Sequence, residues 1–81
     1  MIKQSDTVGW ALLMFELQDA KDHLIELMDS MNKTPDYDEE EFRVDLGHIY
    51  SYLNRAWLRR NIPEDFPEGQ WEAAPKFPID L

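Results

Sequence analysis

Apolar residues recur at alternating spacings of three and four along two stretches of the chain. Trp10, Leu13, Leu17, Ala20, Leu24, Leu27 and Met31 form the first stripe, and Phe42, Leu46, Ile49, Leu53 and Ala56 the second. This spacing keeps side chains on one face of an α-helix and so predicts two helices. Ser5 and Asp6 are N-cap types ahead of the first stripe and Asn32 is a C-cap type behind it, placing helix one at about 6–32. Pro35 lacks an amide donor and disfavours helical backbone at Thr34, so the segment 32–36 reads as a short loop joining antiparallel neighbours. Asp36 or Asp38 can cap helix two. Glu39, Glu40 and Glu41 then favour its positive end and Arg55, Arg59 and Arg60 its negative end, over about 37–61.

In a hairpin about that loop, facing residues carry numbers that sum to roughly 70. Leu24 then meets Leu46, Leu17 meets Leu53, Met28 meets Phe42, and the small Ala20 faces Ile49 and Tyr50, the alternation of size that close packing requires. At the flanks the same register pairs His23 with Asp45, Glu16 with Tyr52 and Lys21 with Tyr50. Gly9 and Gly47 fall inside the helices, where each costs about 1 kcal/mol relative to Ala. Close helix approach is the expected reason, with Gly47 opposite His23.

Val8, Leu12 and Phe15 make a further apolar stripe on another face of helix one, continued by the charged Asp19 and Asp22. Residues 62–81 combine Phe66, Trp71 and Phe77 with Pro63, Pro67, Pro75 and Pro78, a composition that resists helix and strand yet carries too many rings for a solvated linker. Val8, Leu12, Phe15, Trp57, Phe66, Trp71 and Phe77 are therefore the expected partner-binding residues. The fold class expected is all-α: a two-helix hairpin over 1–61 with an extended tail over 62–81 that docks on its own hairpin or a neighbour. Two hairpins are expected to pair as a homodimer, a four-helix bundle, because one pair leaves a wide stripe half exposed.

Composition narrows the partners. A chain of 81 residues is one domain at most, at a size where one core contributes only a few kcal/mol. Eight Lys plus Arg against 17 Asp plus Glu give a net charge of −9, which disfavours nucleic acid and anionic membrane and favours a basic or apolar protein partner. With no cysteine there is no disulfide or thiolate metal site. The apolar run Val8 to Phe15 is far shorter than the roughly 20 residues of a membrane span and lacks a basic leader, so a soluble, cytoplasmic chain is expected.

No residue constellation commits the chain to a reaction. Asp45-x-x-His48, with Asp22, His23 and Glu26 on the other helix, has the spacing of a bundle metal site. The heptad assignment, however, puts Asp22, Glu26 and His48 away from the seam, leaving an acidic solvated face. Neither metal nor cofactor is expected. Glu16-x-x-Asp19 and Glu41-x-x-x-Asp45 resemble the paired acidic motifs of the all-α nucleotide pyrophosphatases of the MazG type. The resemblance implies magnesium held on acidic helix faces and nucleotide hydrolysis. The second motif departs in spacing, and no Lys or Arg is expected beside these carboxylates to hold a phosphate chain. The basic segment Arg55 to Arg60 could engage an oxyanion but already suits a helix C-terminus, with Trp10 available for a cation–π contact. Serines and threonines lie at caps, loops or outer faces, and the three glycines stand apart, so neither a nucleophile nor a phosphate loop is indicated. The reading is a small acidic non-enzymatic interaction or regulatory protein, with the magnesium-dependent hydrolase as its rival.

Overall fold

A computed structural model describes residues 1–63, and over this range the chain is an all-helical hairpin. Helix α1 spans Thr7–Lys33 and α2 spans Glu39–Arg59. The first bounds lie one residue from expectation, whereas α2 is shorter by two residues at each end. Asp38 explains the later start, because its Oδ1 accepts from Glu41 N at 2.8 Å and closes the helix there. At the far end Arg60 folds back, its Nη1 donating to Trp57 O at 2.8 Å while its guanidinium sits 3.9 Å over the Trp57 ring.

Helix α1 does not stop at Asn32. Thr34 is the C-cap, with extended backbone as expected of a residue before proline, and its N donates to Ser30 O at 3.0 Å. Asp6 occupies the N-cap position but makes no side-chain cap bond. Its carboxylate accepts from Lys3 N at 3.0 Å instead, tightening the turn that precedes the helix.

That turn brings the N-terminus against the end of α2. Ile2 N donates to Arg60 O at 2.6 Å, and the Ile2 side chain packs with Leu13, Ala56 and the half-buried Trp10. Ile2 thus plugs the open end of the hairpin, a role the periodic pattern gave no reason to expect because the residue precedes the helix.

The antiparallel arrangement agrees with expectation, but the register is displaced from it by about three residues. Glu16 meets Arg55 and Arg59 rather than Tyr52, and His23 meets His48 and Tyr52 rather than Asp45, so the paired numbers add to 71 and 75 instead of about 70. The face that forms the seam does not agree. In α1 the inward residues are Gly9, Leu13, Glu16, Ala20 and Leu27, while Leu17, Leu24 and Met31 are at least 40% exposed. In α2 Ile49, Asn54, Ala56 and Arg59 are buried, Asn54 on the face away from α1, while Leu53 is 45% exposed. Small residues let two helices approach closely, so α1 turns its smaller heptad, with Gly9 and Ala20, inward and leaves the neighbouring, larger one outside.

The two glycines separate as well. A Cβ on Gly9 would lie 2.7 Å from Pro63 Cα and 2.9 Å from Pro63 O, so the segment four residues beyond α2 crosses α1 where only glycine fits. Nothing lies within 4 Å of a Cβ on Gly47. The expected close approach at Gly47, opposite His23, is absent.

Candidate interaction surfaces

Rotation by about 100° per residue divides the hairpin into two sides. On one side the helices are joined by polar groups. Glu16, expected beside Tyr52, instead receives Arg55 Nε on Oε2 at 2.9 Å and Arg59 Nε on Oε1 at 3.1 Å. The Glu16 side chain is 11% exposed and that of Arg59 4%, so this is a largely desolvated ion triad. Arg55 also stacks 4.6 Å over the Tyr52 ring. The cation–π partners are therefore Tyr52 and Trp57 rather than Trp10. A carboxylate in the inward heptad, one residue from Arg55 in the expected facing register and about a turn from Arg59, was the available sequence signal for this triad.

Farther along the same side, His23 lies 4.9 Å from Tyr52 and 6.5 Å from His48, ring centre to ring centre. His23, Glu26, Asp45 and His48 line one cavity of about 100 Å³ together with Leu27 and Ser30. These side chains converge more than the heptad assignment implied, and His23 is not paired with Asp45. Even so, among the described residues no group of three or more His, Asp or Glu is arranged to hold a metal ion.

Asp45 is engaged elsewhere, accepting from Tyr37 Oη at 2.6 Å. Partial desolvation, followed by this hydrogen bond and the nearby charges of Asp45, Glu41 and Asp38, pushes the Tyr37 phenol up from 10.0 to about 12. A wider cavity of about 460 Å³ adjoins this pair, lined by Ser30, Thr34, Tyr37 and the first turns of α2.

This geometry bears on the pyrophosphatase resemblance. Glu16 stands level with Arg55, ten residues along α2 from Asp45, a separation of about 15 Å at the helical rise. Both Glu16 oxygens face guanidinium groups, correcting the expectation that no arginine lies beside these carboxylates. The two acidic motifs therefore do not face a common magnesium position.

The opposite side of the hairpin is apolar. Helical rotation puts Met14, Leu17, Leu24 and Met28 of α1 and Phe42, Leu46, Leu53 and Trp57 of α2 on this side. Met14, Leu17, Leu24, Met28, Phe42 and Leu53 are all at least 36% exposed, whereas Leu46 and Trp57 are half-buried. Lys21 is the one charged residue in the α1 stripe.

Val8 and Phe15 point away from this side, 61% and 64% exposed, with Leu12 half-buried between them. Of the expected partner-binding residues, Val8, Leu12 and Phe15 thus share one patch and Trp57 belongs to the other face. Phe66, Trp71 and Phe77 lie outside the described residues. Among the described residues no helix is long and apolar enough to cross a membrane. No protein-family model, curated protein or solved structure matches the chain.

Proposed function

We propose that this chain is a small acidic, non-enzymatic interaction or regulatory protein that works by surface recognition. The observation that carries the reading is an inversion of the usual arrangement. The carboxylates best placed for chemistry, Glu16 and Asp45, are committed to Arg55, Arg59 and Tyr37, while Val8 and Phe15 stand open to solvent. Large exposed apolar side chains clustered on one patch are a common mark of a binding surface. The net charge of −9 favours a partner with a basic rim around its own apolar contact.

In this reading residues 62–81 supply a second recognition element through Phe66, Trp71 and Phe77, docking in cis or in trans. Two hairpins pair into a four-helix bundle, and the protein acts in the cytoplasm. Affinity capture with the full chain as bait tests the reading, compared with Phe15→Asp and with a chain ending at Asn61. A partner retained by the full chain and lost from either variant is the expected result. Retention of no partner overturns it. So does tight magnesium binding that Asp45→Ala abolishes, accompanied by nucleoside triphosphate hydrolysis.

A further inference from the structure

We infer that the apolar side bearing Leu17, Leu24 and Leu53 is a self-association surface whose occupant is a second copy of this chain. The inference rests on the surface-recognition reading and names the partner of the face that Val8 and Phe15 do not use. Three observations select a second copy.

The first is the weakness of the intramolecular core. Among the described residues only six apolar side chains fall below 9% exposure, two of them alanines, and no large side chain falls below 2%. The described residues thus leave apolar area that a further layer would stabilise, and a second copy is present wherever the chain is made.

The second observation is area. From Trp10 to Met31 the stripe is about 33 Å long at the helical rise, and two helices are about 20 Å wide, a footprint of roughly 650 Å². A standard interface buries about 800 Å² per partner. Corrugation of the side chains narrows the difference, so two such faces meet at the scale of a specific dimer.

The third is charge. Each copy carries −9, yet between Phe42 and Trp57 on α2 and from Trp10 to Met31 on α1 no carboxylate falls within the apolar stripe; Glu39 and Arg60 continue the α2 face only at its two ends. Within these bounds its one charge is Lys21, opposite in sign to the net charge of an approaching copy. Two faces can therefore meet without burying an acid, and Lys21 can keep its stem in the contact and its ammonium at the rim. As a polar residue in an otherwise apolar heptad, it sets orientation at some cost in affinity.

The test is the mass of the purified full chain, by analytical ultracentrifugation across a wide concentration range, with helicity followed in parallel. The expected result is a reversible dimer of the 9.6 kDa chain. Leu24→Glu, at a position 44% exposed within one chain, is expected to weaken the dimer about 100-fold or more, because the second copy would bury the charge. Phe15→Glu should leave the dimer intact, and Lys21→Leu should tighten it about tenfold. If Leu24→Glu unfolds the chain, Met28→Glu, at a position 57% exposed on the same side, takes its place and must weaken the dimer in the same way.

A fully helical monomer at high concentration overturns the inference, as does a dimer indifferent to Leu24→Glu or equally broken by Phe15→Glu. A monomer that still captures a partner through Phe15 separates this failure from that of the functional reading.

Discussion

Glu16→Gln is the sharpest test of how the two helices are held together. The substitution keeps the shape of the side chain and removes the negative charge that both Arg55 and Arg59 engage. An exposed ion pair contributes about 0.2–1 kcal/mol, whereas removing one member of a buried pair costs about 3–5 kcal/mol. Here the Arg59 side chain is 4% exposed and the Arg55 side chain 19% exposed, so solvent screens only the second contact appreciably. The lower end of the buried range applies, a loss of about 3 kcal/mol. For a protein of this size that corresponds to a fall in Tm of about 12–24 °C.

Urea unfolding followed by far-UV circular dichroism, at one fixed protein concentration, measures the loss. Glu26→Gln is the control, because Glu26 is 74% exposed and only 3.9 Å from His23, and it should change stability by less than about 0.5 kcal/mol. Glu16→Leu combined with Arg59→Met should recover most of the loss, since an apolar pair avoids the desolvation cost of the ions. If Glu16→Gln falls within about 0.5 kcal/mol of the parent, the triad is solvated in solution and does not fasten the hairpin.

The glycines and Tyr37 give two further expectations. Gly9→Ala forces a methyl into the Pro63 backbone and should destabilise the chain, whereas Gly47→Ala meets open space within a helix and should stabilise it by about 1 kcal/mol, both read by thermal unfolding. A spectrophotometric phenol titration should show one of the three tyrosines ionising near pH 12, and Tyr37→Phe should remove that component. Because folding raises this phenol, its contribution to stability is complete below about pH 10 and is lost as pH rises through about 12. Asp45→Asn should bring the titration back toward 10, and an unchanged profile in that variant would remove Asp45 as a cause.

Much of the scaffold is legible in the sequence because it depends on local rules. Pro35 and the acidic first turn of α2 set the loop, and a short loop sets the antiparallel arrangement, while the register itself, displaced by about three residues at Glu16 and His23, was not legible. Features that depend on what lies beyond a helix were not legible. Ile2 reaches the core from outside any periodic segment, and Gly9 is required by Pro63, fifty-four residues away along the chain. The pairing of Tyr37 with Asp45 was hidden because the acidic run around Tyr37 already suited the helix dipole.

The choice between two adjacent heptads was the least legible step, and its physical cause supports the assembly proposed above. In α1 the set Gly9, Leu13, Glu16, Ala20, His23 and Leu27 lies one residue behind the set Trp10, Met14, Leu17, Lys21, Leu24 and Met28. Ranking by hydrophobicity alone selects the second set, and the stripe read from the pattern mixes members of both. The hairpin selects the first, because small residues at Gly9 and Ala20 allow close approach and Glu16 can meet Arg55 and Arg59 across it. A sequence designed only for an isolated hairpin would place its largest apolar residues in that seam. Placing them one residue over, on the same side of both helices, is the pattern of an element meant to be covered by another layer.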